Sequence, residues 1–310
     1  MIATAEDAIL VDLLAYLDGR DYRFVTTTPE THRRVLGRKI GSAPADLRGA
    51  FGWSLPFAPD LLPARLFEGL AGARLLVERD GEWRSRVRVS SIGDRLFLHS
   101  GFPTAEQNAV FFGPDTYRFV RFLDAELGDR PPVRRLVDIG TGTGAGAIAA
   151  ARLLPDAQLI LTDLNPLALR YARVNVRHAG LKADFVLGKG LDEVAGPFDL
   201  AIANPPFMHD AGGRTYRHGG GELGSAATVD WAVAAMAKLA PGGRILFYTG
   251  SAIVDGVDQL EQALRAKVRE QGCTLRYAEI DPDIFGEQLE EPDYDSVERI
   301  AAVGAVIDRA

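Results

Sequence analysis

Cysteine is almost missing from this 310-residue chain: Cys273 stands alone, so no internal disulfide framework can form. That usage suits a reducing cytoplasm, with Cys273 read as a small residue in a buried strand. Long apolar runs are also missing; none reaches the roughly 18 residues that a transmembrane helix needs. There is no basic excess either, since 35 Lys and Arg face 42 Asp and Glu for a net charge of −7. The chain as a whole therefore does not advertise a polyanion-binding surface. Its first residues carry Glu6, Asp7, Asp12 and Asp18, unlike the basic start of a signal peptide. His209 and His218 lack partners at metal-ligand spacing, and no metal is expected. What is present is an ordinary globular composition, 47% hydrophobic, long enough for one large or two modest domains.

Three polar motifs interrupt the apolar runs between residues 137 and 207. The first is Asp138-Ile139-Gly140-Thr141-Gly142-Thr143-Gly144, between a predicted strand at 134–139 and a helix at 145–154. Its glycines allow a tight turn and let a ligand approach backbone at a helix N-terminus. The second is Thr162-Asp163-Leu164-Asn165, and the third Asn204-Pro205-Pro206-Phe207. Each follows a strand, and neighbouring carboxyl ends of a parallel sheet line one crevice, so the three describe a single site. The spacing of the glycines and Asp163 fits a dinucleotide fingerprint as well as other nucleotide cofactors. The third motif is more specific. A planar NH2 group is a poor nucleophile because its lone pair is delocalised. The Asn204 side-chain oxygen and the Pro205 carbonyl can each accept one N–H and aim that lone pair, while Phe207 stacks on a flat substrate. Hydride transfer has no use for such an arrangement.

Residues 134–250 resemble the class I S-adenosylmethionine methyltransferases that modify planar nitrogens. These include the release-factor glutamine, adenine-N6 DNA, and rRNA adenine-N6 and guanine-N2 enzymes. The resemblance implies S-adenosylmethionine as cofactor, held by Asp138, Gly140, Thr141, Gly142, Thr143, Gly144, Asp163, Leu164 and Asn204. Within that set the glycines border the methionine part and Asp163 takes the ribose hydroxyls. Asn204, Pro205, Pro206 and Phe207 would hold the substrate nitrogen. Thr116 aligns with a proline-containing segment that passes over the cofactor in the glutamine enzymes. The chain departs from the pattern at Leu187-Gly188-Lys189-Gly190-Leu191, where many relatives place an acidic residue against the adenine; Asp192 is the nearest carboxylate. Phenylalanine in the third motif leans toward a base in RNA, hence nucleic-acid binding, with a protein glutamine as the alternative. Against RNA stand the acidic balance and Met208, which precedes His209 where the RNA enzymes often have histidine. An NAD-dependent oxidoreductase fits the first two motifs but leaves the third unexplained, and a silent scaffold has little need for Asn204.

The expected fold is α/β: a largely parallel sheet with an antiparallel closing pair at 273–280 and 299–307, behind a small α+β unit. We place the accessory, substrate-recognition unit at 1–104 and the cofactor-binding domain at 105–310. The first unit should hold helices at 5–17 and 28–36, an irregular stretch at 41–63, and strands at 74–78, 83–89 and 94–99. Such an order is winged-helix-like. Arg33, Arg34, Arg38 and Lys39, and then Arg84, Arg86 and Arg88, form basic clusters read first as solvated faces and second as an RNA grip. Two loops flank the site: 208–225, with Arg214, Tyr216, Arg217 and His218, and 281–298, with eight carboxylates and no Lys or Arg.

Overall fold

Strands and helices largely alternate from residue 114 onward, and the strands ending at Ile139, Asp163 and Ala203 are short apolar runs that lead into the three polar motifs. The computed structural model describes residues 5–38, 46–104, 106–128, 132–208, 219–220 and 223–310. Helix α5 is preceded by an N-terminal unit of α1 (Ala5–Asp18), α2 (Pro29–Leu36), α3 (Leu47–Phe51), α4 (Ala64–Gly72), β1 (Leu76–Arg79), β2 (Glu82–Ser85), β3 (Val87–Ile92) and β4 (Arg95–Ser100). Then come α5 (Pro114–Leu127), β5 (Arg135–Ile139), α6 (Ala145–Leu153), β6 (Gln158–Asp163), α7 (Pro166–His178), β7 (Asp184–Leu187) and β8 (Phe198–Ala203). The chain closes with α8 (Ala226–Lys238), β9 (Leu239–Val254), β10 (Val257–Asp258), α9 (Gln259–Glu270), β11 (Cys273–Asp281) and β12 (Arg299–Arg309).

The large sheet runs β11-β12-β9-β8-β5-β6-β7. Pairings among β5 to β9 are parallel, while β12 runs antiparallel to both β9 and β11. The order reverses beside β5, where β6 lies on one side and β8 on the other. Connections leave that point in opposite directions and open a crevice at the carboxyl ends. Cys273 lies at the start of the edge strand β11 and is partly exposed, so it is not the buried strand residue expected.

The N-terminal unit departs from expectation in two places. Segment 41–63 is not wholly irregular: the Asp46 side chain accepts the Gly49 N–H at 2.7 Å and caps α3, and α4 follows shortly after. Segment 83–89 is not one strand. The Ser85 hydroxyl donates to the Val87 carbonyl at 2.7 Å and accepts the Val87 N–H at 3.1 Å, which breaks the run between β2 and β3. Two separate two-stranded ribbons result, β1-β2 and β3-β4, rather than the single small sheet of a winged-helix-like module.

This unit packs directly on the sheet domain. Leu10, Leu13, Leu14 and Leu17 of α1 are fully buried in a core that also takes Ala168, Tyr171 and Val174 from α7. Each such leucine contributes about 1.5–3 kcal/mol of transfer free energy. The acidic start has a structural use, because Arg170 of α7 reaches Glu6 at 3.0 Å and Asp7 at 2.7 Å.

Candidate active site

The glycine motif turns sharply because three of its residues lie in left-handed backbone: Gly140, Gly142 and Gly144 have φ of 64°, 55° and 79°. Only glycine enters that region without cost. The turn is fastened by buried Asp138, whose Oδ2 accepts the Thr141 hydroxyl at 2.6 Å and the Ala147 N–H at 3.1 Å. Burial pushes the Asp138 carboxyl up to about 7. Asp163, at the end of β6, takes the Gly142 N–H at 2.9 Å on Oδ2 and the Asn165 N–H at 2.8 Å on Oδ1. Its carboxyl is also raised by burial, with the backbone donors opposing that shift. Each oxygen keeps a lone pair for a ligand hydroxyl. Asn165 caps α7 as expected, accepting the Leu167 N–H at 2.9 Å ahead of Pro166.

Asn204 leaves the end of β8. Its Oδ1 is buried and has no hydrogen-bond partner among the described residues. A buried acceptor left open costs about 1–3 kcal/mol, which a bound donor would recover. The Phe207 ring packs on Gly250, where a Cβ would come within 2.2 Å of it, and meets Phe285 edge-on at 5.6 Å between centroids.

These groups line one cavity of about 920 Å³. Asp138, Gly140, Thr141, Gly142 and Thr143, then Asp163 and Leu164, and Asn204, Pro205, Pro206 and Phe207 all border it, as does Thr116. Gly144 does not; as N-cap of α6 it faces Ala172 and Leu161 instead. Thr116 is the third residue of α5 rather than its N-cap, and its hydroxyl accepts the Gly113 N–H at 3.3 Å. In the place of the expected adenine carboxylate the wall is Lys189 and Gly190, while Asp192 is exposed outside it.

Several lining residues carry no local motif. Trp231 of α8 lies against Gly140, where a Cβ would come within 2.5 Å of the indole. Asp115 precedes Thr116 and is almost fully buried. Phe285, Glu287, Gln288 and Glu291 come from the acidic 281–298 segment, and Pro29, Arg33, Phe102 and Pro103 from the N-terminal unit. Asn175 does not line the cavity but steadies it, donating from Nδ2 to Thr143 O at 2.9 Å and to Leu98 O at 3.1 Å. The 209–218 stretch, with Arg214, Tyr216, Arg217 and His218, lies outside the described residues.

Several cations of the basic clusters are engaged within the unit, and Lys39 lies outside the described residues. Arg34 pairs with Glu30 at 2.5 Å, and Arg84 donates to Ser54 O at 2.9 Å. Arg88 is only 3% exposed. Among the described residues no group of His, Cys, Asp or Glu could hold a metal ion, and no helix is long and apolar enough to cross a membrane.

Residues 118–252 match the methyltransferase small domain family. That stretch is a methyltransferase small domain by its match. The chain is 32% identical over 195 residues to the release factor glutamine methyltransferase of Deinococcus radiodurans, covering 60% of this chain and 66% of that one. It is 33% identical over 194 residues to the ribosomal protein L11 methyltransferase of Rhizobium leguminosarum bv. trifolii, covering 59% and 61%. The chain thus spans less than two thirds of the length of either relative. Among solved structures, M. jannaschii TYW2 in complex with AdoMet superposes with a TM-score of 0.50 at 13% identity, over 73% of this chain and 87% of that one, a likeness of fold. The matched stretch, 118–252, contains all three motifs at the carboxyl edge of the sheet.

Proposed function

We propose that the protein transfers a methyl group from S-adenosylmethionine to a planar nitrogen, an amide or an exocyclic amine. The observation that carries this reading is the buried, unpartnered Asn204 Oδ1 in the same cavity as the glycine turn and Asp163. A hydride-transfer enzyme would leave that acceptor without purpose. The residues present fit the cofactor: Asp163 offers one lone pair per oxygen to two ribose hydroxyls, the glycine turn admits close approach, and exposed Leu164 supplies an apolar lip. When bound, S-adenosylmethionine supplies a methyl group on a positively charged sulfur, already reactive. The chain's own task is positioning: Asn204 Oδ1 and the Pro205 carbonyl orient the N–H groups, and Phe207 bounds the flat group. The N-terminal unit would take part in substrate recognition through Arg33 and Phe102 at the cavity wall.

A protein amide is the substrate class that the charge of the wall favours. Glu287 and Glu291 repel a phosphate backbone there, and the described cations of the lining are Arg33 and Lys189. The two relatives named above are, by their names, modifiers of a release factor and a ribosomal protein. A base in RNA is the second reading, favoured by the aromatic pair Phe207 and Phe285, which bounds a base as well as an amide. Calorimetry with S-adenosylmethionine and with NAD tests the cofactor; binding of NAD alone would overturn the proposal. Tritiated cofactor with separated RNA and protein fractions of a cell extract then tests the substrate class. Label is expected in protein, and incorporation confined to RNA would select the second reading.

A further inference from the structure

Transfer onto a neutral nitrogen releases one proton per turnover. The nitrogen exchanges an N–H bond for an N–CH3 bond, and the positive charge that arrives with the methyl group leaves as H+. None of Asn204, Pro205, Pro206 and Phe207 can take that proton, since an amide, two backbone carbonyls and a phenyl ring are not bases near neutral pH.

Within the cavity wall, Asp115 is the carboxylate placed to do so. It is 2% exposed and borders the cavity at the start of α5. Its Oδ1 accepts the Tyr248 hydroxyl at 2.7 Å, with Arg118 Nη1 at 3.5 Å. Both contacts fall on Oδ1, which leaves Oδ2 outside them. The strand register places the residue that holds this carboxyl, Tyr248, beside Asn204. Ala203, the last residue of β8, pairs with Phe247 of β9, so Asn204 just past β8 and Tyr248 within β9 follow that pair in parallel. Adjacent strands lie about 4.8 Å apart, and successive side chains alternate in face. Phe247 packs in the core on one face and Tyr248 in the core on the other, the face on which α5 lies. Tyr248 therefore carries its hydroxyl to Asp115 from the position beside Asn204.

We infer that Asp115 Oδ2 receives the proton that the substrate nitrogen loses, making Asp115 a catalytic residue of the reaction proposed above. The inference rests on that reading. The groups facing Asp115 are Tyr248 from β9, Arg118 from its own helix and Asp281 from β11, the last bound to Arg118 Nη2 at 2.9 Å. Burial raises its affinity for a proton, while the Tyr248 hydroxyl and Arg118 act in the opposite direction. A carboxylate so tuned is a better base than an exposed one.

The test uses the full chain, tritiated S-adenosylmethionine and the protein and RNA fractions of a cell extract, with initial rates followed between about pH 5 and 9. Asp115→Asn is expected to cut the rate on the order of a hundredfold and to remove the acid limb of the profile. Calorimetric affinity for S-adenosylmethionine should stay within a few-fold, because the cofactor's groups are held elsewhere. Tyr248→Phe removes a hydrogen bond that favours the charged form, so the acid limb should move to higher pH with the plateau retained. An infrared titration of the ligand-free protein gives the midpoint of the carboxyl band lost in Asp115→Asn, and it should match the acid limb. Wild-type transfer that persists unchanged in Asp115→Asn would overturn the inference and leave the proposed function standing. Cofactor affinity falling in step with the rate would assign Asp115 to the cofactor instead. Absence of transfer by the wild type into either fraction would sink both.

Discussion

The carboxyl edge of the sheet and the ribbon unit in front of it both bury polar side chains, and they satisfy them in opposite ways. At the edge, Asp138 and Asp163 are each met by backbone N–H groups, from Ala147 and from Gly142 and Asn165. The acceptor left open there, the buried Asn204 Oδ1, belongs to a residue of the cavity wall that the same motifs build. In the ribbon unit, His32 and His99 each keep a buried Nδ1 with no partner among the described residues. Arg88, 3% exposed, donates only from Nε to Ser100 O at 3.3 Å and meets no carboxylate among them. Open polarity at the sheet edge belongs to the wall of a cavity, whereas in the ribbon unit it lies between Trp53, Phe102 and Phe112. On the proposed reading the first is readiness to bind; the second is a stability cost carried by the fold.

The sharpest way to break this contrast is Asn204→Ala. If the open acceptor serves a substrate, methyl transfer falls on the order of a hundredfold or more, while cofactor affinity stays within a few-fold. Single-turnover transfer beside calorimetry separates the two. An equal loss of both would make Asn204 a structural residue like those of the ribbon unit.

Asp163→Ala comes next in size. It removes the acceptor of two backbone N–H groups and, on the proposed reading, that of the ribose hydroxyls. The expected loss in S-adenosylmethionine affinity is roughly 1.5–3 kcal/mol, or about ten- to a hundredfold. Affinity unchanged by calorimetry would remove Asp163 from the site.

The two regions also differ in how much the sequence reveals. At the sheet edge the residues that meet are close in sequence or end adjacent strands, so Asp138 with Thr141 and Asn165 with Pro166 are readable as motifs. The remainder of the cavity arrives over long distances: Asp115 through Tyr248 across 133 residues, and Leu98 through Asn175 across 77. No spacing rule predicts such pairs. Trp231 left a faint signal, a large aromatic early in the helix after the third motif. Helix α4 left less, because Gly69 and Gly72 interrupt its apolar periodicity. The break at Ser85 leaves no signal, because alternation continues across it.

A third experiment sharpens the ribbon side of the contrast. Burial and the neighbouring Arg88 push His32 down to about 4 and hold His99 well below its ordinary 6.5. Both folded values lie below the unfolded one, so above pH 6.5 neither imidazole costs stability. As pH falls from 6.5 toward 4, the unfolded chain takes up protons that the folded one refuses. Stability should drop by about 1.4 kcal/mol per pH unit for each such proton. Urea unfolding at stepped pH measures the slope. His32→Phe, which can still pack on Phe102, should flatten it by about one proton. An unaltered slope would mean that His32 is protonated in the folded state.

The smallest expected effect belongs to Arg88→Met, and its sign carries the information. The guanidinium is 3% exposed, and burial lowers it to about 10. Its contacts are one carbonyl at 3.3 Å and the Phe102 ring at 5.8 Å. Methionine matches much of the side chain's length and needs no solvation, but it leaves the Ser100 carbonyl without that donor. Losing one hydrogen bond costs about 1 kcal/mol, and removing an uncompensated buried charge returns at least as much. Arg88→Met should therefore be neutral or stabilising by about 1 kcal/mol in urea at pH 7. It should also raise the pH at which His32 and His99 begin to titrate, because the cation beside them is gone. Destabilisation beyond about 3 kcal/mol would instead mean that Arg88 is paired in solution. The ribbon unit would then be holding a bound anion, and its open polarity would be of the same kind as that of Asn204.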